Sequence, residues 1–166
     1  FSCPNVATCD GQIYQIPNDA ALVAAKVREA IPKTPYLIKI GHVRDPESAE
    51  ELLASVSPYV DALAMTNSVA ALVQDPKGEL MFNGQKRGIC GEATFQASLS
   101  QVELFADLIA KRKDNIQVIG VGGAATAKHV RDYLEAGAES VHIATAAMVD
   151  PLVGLKIRRD WNTSET

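Results

Sequence analysis

Apolar residues along this chain fall into two kinds of run. Four short stretches have strand length: Tyr36-Leu37-Ile38-Lys39-Ile40, Val60-Asp61-Ala62-Leu63-Ala64-Met65, Ile116-Gln117-Val118-Ile119-Gly120-Val121 and Ser140-Val141-His142-Ile143-Ala144. They are continuous rather than alternating, as expected of strands covered on both faces. Between them apolar positions recur at helical spacing: Val23, Val27 and Ile31; Leu52, Leu53 and Val56; Val102, Phe105, Leu108 and Ile109; Val130 and Leu134. Each set marks one buried stripe of an amphipathic helix.

Boundary residues sharpen these elements. Asn18 is placed to cap the first helix, and Pro32 and Pro35 end it. Asp45-Pro46-Glu47 combines a cap, a proline at the first helical position and an acid in the first turn. Ser100 and Glu103 have capping-box spacing. Thr126 caps a helix that stops at Gly137, and Asp150-Pro151 opens a last one. The rhythm breaks over residues 69–98. There Leu72-Val73-Gln74-Asp75 and Glu79-Leu80-Met81-Phe82 flank Pro76-Lys77-Gly78, which predicts an inserted β-hairpin near 70–84. A glycine-bearing loop from Gly84 to Gly91 is expected to follow.

Strand and helix alternating in this way predict an α/β fold with a parallel sheet and right-handed crossovers. The sheet can close in two ways, as an open doubly wound layer or as part of a (β/α) barrel. Lys39, Thr66-Asn67-Ser68, Gly122-Gly123 and Thr145 each fall just past the carboxyl end of a strand. That face carries the active site in a barrel, which favours the barrel. Gly122-Gly123 and Thr145 also resemble a phosphate cradle on the last two barrel strands, where backbone N–H groups suit an anion.

Composition narrows the function. With 22% charged residues, net charge −4 and no basic block, nucleic acid is not an expected partner. No apolar run reaches membrane-spanning length, so no membrane is expected either. Three cysteines (Cys3, Cys9, Cys90) make neither a disulfide framework nor zinc-ligand spacing, which fits a reducing cytoplasm. His42, His129 and His142 are scattered; no metal site is expected, and all three read as surface or packing positions. Cys9 and Cys90 read as bystanders.

Six motifs in order carry a resemblance: Ser2-Cys3-Pro4-Asn5, Ile38-Lys39-Ile40, Thr66-Asn67-Ser68, Ile119-Gly120-Val121-Gly122-Gly123, Ala136-Gly137-Ala138 and His142-Ile143-Ala144-Thr145. Together they resemble the dihydroorotate dehydrogenase family, FMN-binding TIM barrels that include dihydropyrimidine dehydrogenases. The match runs from residue 2 to about 150 and covers the second half of that barrel. The resemblance implies a single incomplete domain over 1–166, the C-terminal half of a (β/α)8 barrel without its N-terminal half. It implies a flavoprotein oxidoreductase of pyrimidine biosynthesis that oxidises dihydroorotate to orotate. Cys3 would be the base that takes a ring proton while hydride passes to FMN, and cysteine rather than serine there points to the soluble class. Asn5, Asn67 and Ser68 would hold the substrate. Lys39, Thr66, Gly88, Gly122, Gly123, Ala144 and Thr145 would hold the cofactor.

The chain departs from the family pattern at Arg87-Gly88-Ile89-Cys90-Gly91, where Arg87 stands in place of a glycine beside the flavin. By itself Arg87 reads as a solvated cation. Two other functions stay open: a dihydropyrimidine dehydrogenase-type enzyme acting on uracil or thymine, and a catalytically silent half-barrel or assembly module. A full barrel takes about 250 residues against the 166 here. The chain is therefore expected to form a homodimer or to pair with the missing N-terminal half, and to be inactive alone.

Overall fold

The computed structural model describes residues 1–2, 12–43 and 45–163. Strands β1 (Leu37–Lys39), β2 (Ala62–Met65), β5 (Gln117–Val121) and β6 (Ser140–His142) form one parallel sheet. Strands β3 (Val69–Ala71) and β4 (Arg87–Ile89) form a separate antiparallel pair. The helices are α1 (Pro17–Ala30), α2 (Pro46–Val56), α3 (Phe95–Arg112), α4 (Ala127–Glu135), the short α5 (Thr145–Val149) and α6 (Val153–Thr163).

Spatial order in the parallel sheet is β1-β2-β5-β6, the same as order along the chain. A doubly wound sheet reverses direction at a switch point, whereas a barrel adds each strand beside the last. The unreversed order is that of a barrel segment.

The two faces of the sheet differ. Ile38, Leu63, Met65 and Val118 belong to the main core, with Leu52, Leu53 and Val56 of α2, Val102 and Phe105 of α3 and Tyr133 of α4. Burying each of these large side chains contributes roughly 1.5–3 kcal/mol. Alternate positions Ala62, Ala64, Ile119 and Val121 form a second, smaller cluster on the other face. Its flanks are open: Leu37 and Lys39 on β1, and Ser140 and His142 on β6, are exposed. This is the concave face of an unclosed barrel.

Local chemistry sets most boundaries. Asp45 accepts the Ser48 N–H at 2.8 Å with Pro46 behind it, as expected. Thr126 Oγ1 accepts the His129 N–H at 3.1 Å, and Gly137 takes φ 98° past the end of α4. Elsewhere the expectations shift. The first helix begins at Pro17, whose fixed φ suits the first position, so Asn18 lies inside it. Ser100 is also interior, because α3 starts at Phe95 after a 3₁₀ turn over Glu92–Thr94. The final helix starts at Val153; Asp150 instead accepts the Leu152 N–H at 3.0 Å after α5.

The inserted hairpin is longer than its turn signals suggest. Asp75 Oδ1 accepts the N–H groups of Lys77 and Glu79, and Gly78 turns at φ 86°. Pairing then continues through Gln74–Leu80 to β3 and β4, so the supposed loop from Gly84 to Gly91 contains a strand.

Two polar ties fix the frame. Arg28 of α1 donates to Tyr59 O, Thr34 O and Asp61 Oδ2, and lies 4.8 Å from the centre of the Tyr36 ring. Buried Gln101 of α3 donates to Gly41 O at 2.9 Å and accepts from Val43 N at 2.7 Å, fastening the loop that leaves β1.

Candidate functional site

The carboxyl ends of the parallel strands open into a cleft of about 760 Å³. From the strands come Lys39, Val121 and His142, and from the segments that follow them Thr66, Asn67, Gly122, Gly123, Ala144 and Thr145. The chain entering α3 adds Cys90, Gly91, Glu92 and Thr94, and Met148, Asp150 and Val153 close the far side. A smaller cavity of about 270 Å³ beside Tyr14, His42 and Asp45 collects none of the motif residues.

Met65 belongs to the helix-covered core, and Thr66, which follows it past the end of β2 across a cis peptide bond, lines the cleft. Thr66 is 1% exposed, and its Oγ1 has no hydrogen-bond partner among the described residues. A buried hydroxyl without a partner costs about 1–3 kcal/mol. Asn67 is half-buried, anchored by its N–H to Ile40 O at 2.9 Å and by Nδ2 to Ser2 O at 2.8 Å. Those bonds leave its side-chain oxygen without a partner among the described residues. Lys39 is exposed and brings a cation to the same space.

Gly122 and Gly123 adopt φ 131° and 70°. A Cβ on Gly122 would lie 2.3 Å from Ser98 Oγ, and one on Gly123 2.7 Å from Phe95 Cβ. These contacts come from α3, so packing alone demands glycine at both positions. Gly91 is constrained too, since its Cβ would stand 3.2 Å from Thr145 Cγ2. Beneath the turn, burial pushes the Tyr133 phenol up to about 12, with the Ser98 hydroxyl pulling the other way. Lys156 and the Leu152 N–H hold the Asp150 carboxyl below its ordinary range.

Of the residues singled out from sequence, the structure gathers Lys39, Thr66, Asn67, Gly122, Gly123, Ala144 and Thr145 around one cleft. It does not bring Ser68 or Gly88 there. Ser68 lines a separate cavity of about 50 Å³ with Tyr14 and His42, and Gly88 sits within β4. Cys3, Asn5 and Cys9 lie outside the described residues. Arg87 is exposed, donating to Gln85 Oε1 and Lys86 O and facing the Phe82 ring at 5.4 Å, away from the cleft.

Sequence reasoning passed over several lining residues, His142, Cys90, Glu92 and Thr94 among them. His142 had read as a surface or packing position, yet it stands in register with Val121 on the concave face. The alternation Ser140-x-His142 was the available signal. Cys90 had read as a bystander; its thiol lies 3.6 Å from Asn67 O at the cleft wall. Glu92 and Thr94 follow it on the 3₁₀ turn, a placement set by tertiary packing. Among the described residues no cluster of three His, Cys, Asp or Glu side chains can hold a metal. No helix among them is long and apolar enough to cross a membrane.

Parallel strands added in chain order, helices on one face and a cleft at the strand carboxyl ends define a segment of a (β/α) barrel. The family model for dihydroorotate dehydrogenase matches residues 1–163, and the chain belongs to that family. It is 32% identical over 162 residues to the dihydroorotate dehydrogenase of Dictyostelium discoideum, covering 94% of this chain and 44% of that protein. It is 30% identical over 159 residues to the catalytic subunit of dihydroorotate dehydrogenase B (NAD(+)) of Fusobacterium nucleatum, covering 95% of this chain and 50% of that protein. The chain thus spans about half the length of the curated relatives it matches. In fold it is similar to a crystal structure of DHODH from Eimeria tenella in complex with ferulenol. The TM-score there is 0.61 at 17% identity, covering 75% of this chain and 32% of that one.

Proposed function

We propose that this chain is the carboxyl-terminal part of an FMN-dependent oxidoreductase that oxidises a dihydropyrimidine, with dihydroorotate to orotate as its reaction. The observation that carries the proposal is the unpartnered, buried Thr66 Oγ1, set in a cleft with Lys39, Asn67 and the Gly122-Gly123 turn. A cleft of this volume falls within the range for cofactor sites. Bound FMN would supply an acceptor for a hydride and its electron pair. Gly122, Gly123, Ala144 and Thr145 would hold its phosphate end, Thr66 would bond its ring system, and Lys39 would present a cation to it. Asn67 and Asn5 would orient the substrate through their side-chain amides. Cys3 would remove the proton from the substrate carbon next to the one that loses hydride. Ser68 and Gly88 have no part in this assignment.

The open flanks Leu37 and Ser140, and the exposed Met148, Val149, Leu152 and Leu155, favour pairing with a complementary barrel half that completes the pocket. Alone, the chain is expected to bind FMN weakly or not at all, because only one side of the pocket is present. The test joins this chain to the amino-terminal half of the Dictyostelium relative. The joined protein is expected to retain flavin through gel filtration, and dihydroorotate is expected to bleach it without oxygen. Cys3→Ser should keep the flavin and slow the bleaching in stopped flow. A folded joined protein without flavin refutes the proposal, and bleaching by dihydrouracil instead of dihydroorotate moves the substrate assignment.

A further inference from the structure

We infer that Tyr133 is a positioning residue for the cofactor's phosphate end, clamping the Gly122-Gly123 turn from behind the sheet; this rests on the flavin assignment above. The Tyr133 side chain is fully buried, and its hydroxyl donates to Gly122 O at 2.6 Å. Its ring fits under the strand because residue 120 is glycine: a Cβ there would lie 2.5 Å from Tyr133 Cδ1. Phe95 grips the other half of the turn, pressing against Gly123. The Phe95 ring meets Tyr133 edge-on at 5.4 Å and stacks on His129 at 4.3 Å.

Two features separate this clamp from ordinary packing. Adjacent glycines with positive φ have no side chains to hold their own conformation, and such backbone is the most costly to order. A turn that must meet an anion in one geometry binds best when neighbours fix it beforehand. In addition, packing does not require the hydroxyl. Phenylalanine fills nearly the same space, and a buried phenol is favourable only where its O–H is used. Here the O–H donates to Gly122 O, on the turn that lines the cleft. Burial keeps the phenol protonated, and so a donor, across the ordinary pH range.

The test is an amide-resolved ¹H–¹⁵N titration with FMN of the joined protein stripped of its flavin, comparing the parent, Tyr133→Phe and Val56→Ala. Val56 is a buried α2 residue whose truncation lowers stability away from the cleft. Tyr133→Phe is expected to raise the FMN dissociation constant about five- to tenfold, the effect of one hydrogen bond. It is also expected to broaden the Gly122 and Gly123 signals of the flavin-free protein through microsecond-to-millisecond exchange. Val56→Ala should stay within about twofold of the parent, as a distant, independent site. Equal FMN affinity in Tyr133→Phe and parent overturns the inference, as does equal weakening by Val56→Ala. If Tyr133→Phe does not fold, Phe95→Leu, which removes the ring that meets Tyr133 edge-on, faces the same comparison. A parent whose Gly122, Gly123, Ala144 and Thr145 amides do not respond to FMN refutes the flavin assignment itself.

Discussion

Replacing Gly123 with alanine separates two reasons for a glycine at a cleft. The residue sits at φ +70°, where a Cβ costs about 1–2 kcal/mol. The added methyl would also lie 2.7 Å from Phe95 Cβ and 3.0 Å from both Gly91 O and Phe95 Cα. Two of those three atoms are backbone, so relief requires moving α3, and overpacking of this kind costs about 1–3 kcal/mol. Loss of freedom in the unfolded chain returns about 0.4–1 kcal/mol. The net expectation is a destabilisation of about 2–4 kcal/mol, or roughly 1–2 M in urea midpoint at an m-value near 2 kcal/mol/M. Urea unfolding followed by the fluorescence of the single tryptophan, Trp161, measures it. Gly78→Ala is the control: φ is +86°, but nothing lies within 4 Å of its Cβ, so only the backbone cost of about 1–2 kcal/mol remains. If Gly123→Ala is no more destabilising than Gly78→Ala, the packing account fails. The glycine would then be required by a ligand rather than by α3.

Thr66→Val removes an unpartnered buried hydroxyl and should raise the stability of the free chain by up to about 1 kcal/mol, while FMN titration shows weaker binding; a loss of stability would mean that the hydroxyl has a partner after all. Gln101→Leu strands Gly41 O and Val43 N and should cost about 2–4 kcal/mol by urea unfolding; a cost under about 0.5 kcal/mol would refute the tie. The Tyr36 N–H and then Arg28 hold the Asp61 carboxyl below its ordinary 3.8, and Ser48 does the same for Asp45. Their stabilisation is therefore complete above about pH 4 and lost as pH falls through the depressed values. Thermal melts should decline in that acid window, and Asp61→Asn should flatten the decline.

Elements with local causes were legible in the chain. Continuous apolar runs located all four parallel strands, and Asp45-Pro46 and Thr126 fixed two helix starts because a cap interacts only with the next three residues. Ser100 misled for the same reason. The Ser-x-x-Glu spacing also occurs inside helices, and α3 starts earlier because Phe95 packs on Gly123, a contact between distant segments. The hairpin was cut short because Val69-Ala70-Ala71 has little strand propensity, and its pairing with β4 is tertiary. At the site, residues at strand ends could be placed by position alone. Adjacent residues such as Asn67 and Ser68 could not be assigned to one pocket, because the chain sends them to different cavities. His142 needed a face assignment within a three-residue strand, too short to display a period.

The Arg28 tie lies at the amino ends of β1 and β2, among Thr34, Tyr36, Tyr59 and Asp61. The cleft opens at their carboxyl ends. The strand lengths separate the two regions, so they share no side chain. Substitutions that retune the ligand therefore add little to those that loosen the frame, and the two sets accumulate independently. Such a segment tolerates drift at the mouth of the barrel while its base stays constrained. A saturation library scored for both expression and flavin retention should resolve into two nearly unconnected groups of positions, one at each end of the strands.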